Sequence, residues 1–239
     1  MGIIPSRFPD VPHDGSGLPC QGQLKQLVSC KTFRVLPPQQ VIFSQGESPH
    51  TVCLICSGLV KLTRTQSDGK RAIIGLRKTG WLLGAAALLP GLPYASTAET
   101  VQRSKLCFVS GDRFRNEMET NASFSKWVSM IMSRGIYSSV ISISEKGALS
   151  GRRRLEKFLW EMIQAKNNCN TGKALKVPIP LRLWELAQLL GLTPEYLSRL
   201  INKMEKEGVI LRKNGWLILP EPKRLSYSGG VASEISKSK

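Results

Sequence analysis

The sequence has no long apolar run, few histidines and few acids. Its longest apolar stretch, Trp81 to Leu89, falls short of the roughly 18–20 residues that cross a bilayer. No membrane span is therefore expected, and no membrane partner. Only two histidines occur, His13 and His50, far apart in sequence, so a histidine-based metal site is not expected. The first 20 residues carry four prolines and have neither a charged start nor an apolar core. They do not read as a secretory signal, and the expected compartment is the cytoplasm. Acids number 17 against 34 Lys plus Arg, a net charge of +17. Such an excess attracts polyanions through a field that salt screens. Nucleic acid is the expected partner; an anionic membrane surface, which such a charge also attracts, ranks behind it and is not the expected partner. The excess is spread along the chain, slightly denser beyond residue 150, so charge alone locates no site.

What is present argues for a folded chain. A hydrophobic content of 41% over 239 residues excludes disorder as the main state and allows one or two domains, each able to bury a core. The six cysteines are Cys20, Cys30, Cys53, Cys56, Cys107 and Cys169. A disulfide framework suits a small secreted chain, which this is not. Cys53 and Cys56 have the spacing of half a metal or redox motif, but they lie in Thr-Val-Cys-Leu-Ile-Cys-Ser-Gly, which reads as a buried strand. Residues three apart on a strand face opposite ways, and no second pair completes a zinc set. Core thiols are expected there, and no metal.

From residue 24 to about 115, short apolar runs alternate with turns. The runs are Val41–Phe43, Val52–Ile55, Leu59–Leu62, Ala72–Leu76 and Leu106–Val109; the turns are Gln45-Gly46, Ser57-Gly58, Asp68-Gly69, Thr79-Gly80 and Leu92-Pro93. Short strands at this spacing predict a sandwich or barrel. From about 121 the period changes. Val128, Met132, Ile136, Val140 and Ile143 step by four, four, four and three, which makes one stripe along a helix. That stripe needs a partner surface, either its own domain or a second copy across a two-fold seam. Residues 144–151, rich in small side chains, predict a break and hinge. A further helix is expected from Arg152 to Ala165, with Leu155, Phe158, Leu159 and Met162 inward.

Residues 181–208 carry the most information. Leu186, Ala187 and Leu190 line one helix face, Gly191 supplies a left-handed turn, Thr193 is an N-cap and Pro194 opens the next helix. Leu197, Leu200, Ile201 and Met204 line that second helix, and Gly208 ends it. This is the pattern of a helix-turn-helix, whose second helix enters the DNA major groove by its N-terminal residues. Its outward face holds Glu195, Ser198, Arg199 and Asn202. A glutamate accepts from cytosine N4 and an arginine bonds guanine O6 and N7, so Glu195, Ser198 and Arg199 are the candidate base readers. Arg182, Thr193, Tyr196 and Lys203 are placed for phosphates, which set register rather than sequence. Val209 to Leu219 reads as a hairpin with an Asn-Gly turn and a basic tip, a wing that sets Arg212 and Lys213 near the DNA backbone.

A Gly-punctuated strand region, a long helix and a winged helix-turn-helix together resemble the Crp/Fnr family of bacterial transcription regulators. The anchors are Ser57-Gly58, Asp68-Gly69, Gly80, Gly84, Ala98 and the run Leu190 to Arg199. The resemblance implies an α+β fold: a flexible arm (1–23), an antiparallel, cyclic-nucleotide-binding-like β-roll (24–120), a dimerisation helix (121–147), a winged helix-turn-helix (148–225) and a disordered tail (226–239). It implies a homodimer, double-stranded DNA and RNA polymerase as partners, and no catalytic residue. The Glu-x-x-Ser-Arg spacing at 195, 198 and 199 is similar to the fumarate–nitrate branch, which implies a palindrome of TTGAT-like half-sites.

The sensing chemistry departs from both well-known branches. The cyclic-nucleotide branch holds ribose with Gly-Glu and phosphate with Arg-Ser; the matching positions here are Gly84-Ala85 and Ser96-Thr97. Residues 81–98 carry no charged side chain, and a buried phosphate without a cation is costly. The oxygen-sensing branch holds an iron–sulfur cluster on closely spaced N-terminal cysteines, where this chain has only Cys20 and Cys30. No histidine lies where a heme needs one. No cofactor is therefore expected, neither cyclic nucleotide, iron–sulfur cluster nor heme. An apolar effector beside Gly84, Ala85, Ser96 and Thr97, a thiol switch, or no ligand remain. The rival functions are a nonspecific nucleic-acid binder and a thiol redox protein using Cys53 and Cys56.

Overall fold

The computed structural model describes residues 33–89, 91–164, 175–178, 181–213 and 216–220. The arm expected at 1–23, Cys20, Cys30 and Cys169, the Asn214-Gly215 turn and the tail at 226–239 lie outside the described residues. Eight strands come first: β1 (Phe33–Leu36), β2 (Val41–Phe43), β3 (Thr51–Ser57), β4 (Leu59–Thr65), β5 (Arg71–Lys78), β6 (Leu82–Leu83), β7 (Thr97–Thr100) and β8 (Ser104–Ser110). They form two four-stranded antiparallel sheets, ordered β1-β8-β3-β6 and β2-β7-β4-β5. Helices α1 (Gly111–Thr120), α2 (Ala122–Ala148) and α3 (Gly151–Gln164) follow. Then come β9 (Leu175–Pro178), α4 (Leu183–Leu190), α5 (Pro194–Lys206), β10 (Leu211–Lys213) and β11 (Trp216–Leu219). The chain divides into two compact units after Tyr137, inside α2.

Strand β3 explains the first unit. Its side chains alternate between two cores. Val52, Leu54 and Cys56 join Cys107, Val109, Phe114, Phe124 and Val128. Cys53 and Ile55 join Val60, Leu83, Ala98 and Leu106. Cys53 and Cys56 thus point into different cores, both buried. Burial, with Cys107 and Cys56 nearby, pushes the Cys53 thiol well above the usual range, which keeps it protonated and unreactive. Among the described residues no group of three or more His, Cys, Asp or Glu could hold a metal ion. No described helix is long and apolar enough to cross a membrane.

In the first unit, three strands and one helix go beyond the sequence reading. β1 and β7 are four residues long and β6 is two, too brief for a period-two signal. Helix α1 is a mostly polar ten-residue segment with Gly111 and Phe114 buried, so its apolar stripe is nearly absent. The Ser110 hydroxyl caps it by accepting from the Arg113 N–H. Phe114 meets Phe124 edge-on at 5.2 Å, and the Asn121 side chain accepts from the Phe124 N–H at 3.1 Å, which fixes where α2 starts.

The break expected over 144–151 is a correction. Helix α2 runs through Ala148, and only Leu149 and Ser150 separate it from α3. One glycine, Gly147, costs a helix about 1 kcal/mol, too little to end one of this length. The stop comes instead where Ser150 caps the next helix. Its carbonyl accepts from the Arg154 N–H at 3.0 Å and its hydroxyl from the Arg153 N–H at 3.4 Å.

The second unit packs α3 to α5 with a three-stranded sheet ordered β10-β11-β9. Leu155, Leu159, Leu186, Leu197, Met204, Ile210 and Leu219 are fully buried in it. Strand β9 pairs with β11 in antiparallel register from Leu175↔Leu219 to Pro178↔Trp216. The Leu-Lys-Val alternation at 175–177 was its only sequence signal.

Gly58 shows how tightly the chain crosses from β3 in one sheet to β4 in the other. Its φ is +113°, and an added Cβ would lie 2.7 Å from the Ser104 Cα. Gly69, in the β4–β5 hairpin, has φ +80° but nothing within 4 Å of an added Cβ. Gly58→Ala is expected to destabilise the protein by about 3 kcal/mol or more, and Gly69→Ala by about 1 kcal/mol. Urea unfolding midpoints of the two variants check this; equal costs would contradict the packing at Ser104.

Candidate nucleic-acid interface

The interface is built from one turn and the two helices it joins. Glu185, in the first turn of α4, accepts from the Arg182 N–H at 2.9 Å and fixes where that helix begins. Leu186, Ala187 and Leu190 are buried, and Gly191 closes the helix at φ +64°, its N–H bonded to Ala187 and Gln188 carbonyls. The Leu192 N–H returns to the Ala187 carbonyl at 2.8 Å, which completes the glycine-type stop. Two residues later, the Thr193 hydroxyl accepts from the Tyr196 N–H at 3.2 Å. Pro194 opens α5 with no N–H to satisfy.

Packing then decides which face of α5 is seen. Leu197, Leu200, Ile201 and Met204 are all buried. Their spacing turns Glu195, Arg199, Asn202 and Lys203 outward, all exposed, with Ser198 half-buried. The side chains of Glu195 and Arg199, one turn apart, have no hydrogen-bond or ion-pair partner among the described residues. Their carboxylate and guanidinium are free for partners outside the chain.

The expected backbone contacts fall in different settings. Arg182 and Lys203 are exposed. Thr193 uses one hydroxyl lone pair on the cap just described, which leaves its O–H to donate. Tyr196 is 43% exposed, and its ring lies over Gly151, where an added Cβ would come within 2.7 Å of Cε1. Lys213 ends β10 opposite Trp216. Arg212 is turned back onto α5. Its Nη2 donates to Asn202 Oδ1 at 2.6 Å, and its Nε and backbone N–H donate to Glu205 at 3.0 Å each. The Arg212 backbone N–H, and then its side chain, hold the Glu205 carboxyl below the usual carboxylate range.

Sequence reasoning missed this cluster and another behind the turn. Arg154 donates to the Leu190 carbonyl at 2.7 Å and to Gly191 at 3.3 Å, at the end of α4. Arg152 bonds the fully buried Glu156 at 2.9 Å and Glu207 at 2.6 Å. The Arg152 guanidinium is held more basic than usual by Glu156 first and Glu207 second. Arg154 to Leu190 bridges 36 residues of chain and Arg152 to Glu207 bridges 55, so no local pattern announces them.

The candidate effector residues lie in the first unit. Gly84 sits at φ +81°, and a Cβ there would come within 2.6 Å of the Thr51 carbonyl and 3.3 Å of the Tyr94 ring. The Tyr94 hydroxyl donates to that carbonyl at 2.6 Å, and the ring stacks on Phe43 at 4.0 Å. Ala85 opens a short 3₁₀ turn ending at Leu88. Ser96 is buried, and Thr97 accepts from the Gln45 N–H at 3.0 Å. No cation lies in this stretch; Arg64 reaches it from β4 and donates to the Ala95 carbonyl at 2.5 Å. An apolar cavity of about 10 Å³ lies elsewhere, among Val52, Leu54, Leu82, Cys107, Val109, Phe114, Phe124 and Trp127, room for about one water. Gln45, Arg64, Thr65, Gln66 and Ser67 border an open surface hollow.

Comparison with known proteins agrees with both units. The family model for the cyclic nucleotide-binding domain matches residues 33–121, and that for the Crp-like helix-turn-helix domain matches 153–227. The chain is 26% identical over 189 residues to the transcriptional activatory protein AadR of Rhodopseudomonas palustris, covering 78% of this chain and 77% of that one. It is 21% identical over 190 residues to a CRP-like cAMP-activated global transcriptional regulator of Mycobacterium tuberculosis, covering 80% and 84%. Among solved structures, FixK2 from Bradyrhizobium japonicum superposes with a TM-score of 0.67 at 19% identity, covering 82% of this chain and 96% of that one. TTHB099, a CRP-family transcriptional regulator from Thermus thermophilus, superposes with a TM-score of 0.70 at 17% identity, covering 82% and 96%. These relatives are regulators of transcription, and this chain is a regulator rather than an enzyme. With its antiparallel β-roll, long helix and Crp-like DNA-binding domain, the chain belongs to the Crp/Fnr family of transcription regulators.

Proposed function

We propose that the protein acts in the cytoplasm as a homodimeric, sequence-specific regulator that reads a palindrome of two TTGAT-like half-sites. The observation that carries this reading is the outward, unpaired Glu195 and Arg199, one turn apart on a helix whose other face is buried. Glu195, Ser198 and Arg199 contact base edges; Arg182, Thr193, Tyr196, Lys203 and Lys213 serve the phosphates. RNA polymerase is the partner that the family resemblance implies.

The dimer rests on α2. Val128 is buried within its own unit, but Met132, Ile136, Val140 and Ile143 are 38%, 67%, 58% and 73% exposed. Four apolar side chains in register on one helix, left in water, form a seam that a second copy covers under two-fold symmetry. Dimerisation sets two copies of α5 about 34 Å apart, one turn of DNA. In this reading a change in the β-roll reorients the helix pair through the segment expected as a hinge, of which Leu149-Ser150 is the non-helical part. An effector drives this only if it binds the two arrangements unequally.

The effector is not a cyclic nucleotide in this reading. A ribose hydroxyl finds Ala85 where a carboxylate would serve it, and a phosphate finds Ser96 and Thr97 in a stretch with no charged side chain of its own, where the one neighbouring guanidinium described above, Arg64, is engaged by the Ala95 carbonyl. The boundaries that go with it are a β-roll over 24–120, a dimerisation helix over 121–147 and a DNA-binding domain over 148–225.

Arg199→Ala is expected to cost roughly 1–3 kcal/mol of operator binding and to relax preference at one base pair per half-site. Lys203→Ala is expected to weaken all sequences alike and to lower the salt slope by about one. Titrations of labelled duplex at several salt concentrations check both. A steep salt slope without sequence preference would favour the nonspecific binder instead. Ile136→Glu with Ile143→Glu is expected to give monomers in analytical ultracentrifugation, with half-site affinity retained and palindrome affinity lost. A dimer that survives both changes would refute the seam.

A further inference from the structure

The wing and the reading helix share one arginine. Arg212, on β10, donates through Nη2 to Asn202 Oδ1 at 2.6 Å. The same guanidinium pairs with Glu205 Oε2, Nε at 3.0 Å and Nη2 at 2.8 Å. The Arg212 backbone N–H donates to Glu205 Oε1, also at 3.0 Å. Both carboxylate oxygens of Glu205 are thus engaged, and the guanidinium is held in one orientation by a fork that lysine cannot reproduce. Asn202 follows Glu195, Ser198 and Arg199 by seven, four and three positions, so it lies on the face that holds the candidate base readers.

The chemistry of the amide gives this contact a consequence. A guanidinium carries only donors, so it can meet only the oxygen end of an asparagine side chain. Arg212 therefore fixes which end of Asn202 faces the wing, and leaves the Nδ2 hydrogens to point away from it. An asparagine that recognises adenine uses both ends, accepting from N6 and donating to N7. Oδ1 keeps a second lone pair, but an adenine N6 amine approaching it would meet a full positive charge and donor hydrogens like its own. The pairing thus favours bases that offer acceptors alone.

We propose that Arg212 is a positioning residue, which holds Asn202 as a donor toward one further base pair of each half-site and biases that position toward guanine or thymine over adenine. The inference rests on the sequence-specific reading proposed above. It also sets Arg212 apart from the phosphate contacts, where its place near the wing tip had put it.

The test is selection from a randomised duplex library with the full-length protein, its Asn202→Ala, Arg212→Lys and Arg212→Ala variants, and Arg199→Ala as reference. Asn202→Ala is expected to abolish preference at one position per half-site, a loss of about tenfold in discrimination, and to leave the Arg199-dependent position intact. Arg212→Lys keeps the charge but not the fork. It is expected to move preference at the Asn202 position toward adenine by about tenfold, with the salt slope unchanged. If Arg212→Lys selects as the parent does while Arg212→Ala weakens every sequence and lowers the salt slope by about one, Arg212 is a phosphate contact and the inference fails. If Arg199→Ala alters selection but Asn202→Ala does not, the inference fails while the regulatory reading stands. If the parent protein selects no sequence, both fall. Asn202 is exposed, so loss of fold does not confound its variant.

Discussion

The interface depends on a single left-handed residue. Gly191 turns the chain at φ +64°, and Thr193 restarts it as a helix two residues later. Those two stops set the angle at which α5 leaves α4. The angle in turn brings Leu197, Leu200, Ile201 and Met204 into the core under α4 and sends Glu195 and Arg199 out. A side chain at 191 would have to adopt a backbone conformation disfavoured for L residues. Its Cβ would also lie 3.1 Å from the Arg154 guanidinium, which bonds the carbonyls beside it. The polar face is presented because the apolar face and the turn leave it nowhere else to go.

The same logic of two-sided demand runs through the β-roll. Strand β3 is buried on both faces, so its five residues from Val52 to Cys56 form one apolar run and give no alternation to read. Each face belongs to a different cluster, one closed by α1 and α2 and the other by the opposing sheet. This explains why two cysteines with a suggestive spacing are inert, and it removes the thiol redox reading. It also explains why Gly58 tolerates no side chain: the chain crosses there from one sheet to the other directly against Ser104.

Much of this was legible from the sequence because the determining signals are local. The cap at Thr193, the proline after it, the glycine stops and the spacing of the buried positions of α5 all fall within 18 residues from Gly191 to Gly208. The hairpin at Asp68-Gly69 and the long helix are equally local. What escaped was set by distant partners or by too few residues. Strand β6 is two residues long and exists because it pairs with β3. Helix α1 buries little beyond Phe114. The break expected at 144–151 shrank to Leu149-Ser150, since small residues weaken a helix but a capping serine ends one. Arg212 was read by its nearness to the wing tip, when Glu205 and Asn202, on the preceding helix, determine where its guanidinium goes.

The proposed regulation stands on paired copies of α5 reading matched half-sites. Hydroxyl-radical footprinting of the full-length protein on a duplex obtained by selection tests it most directly. The expected result is an inverted repeat with two protected segments about one helical turn apart on the same face of the DNA, symmetric about their midpoint. Uniform protection without symmetry, on sequences selected no better than random, would contradict it.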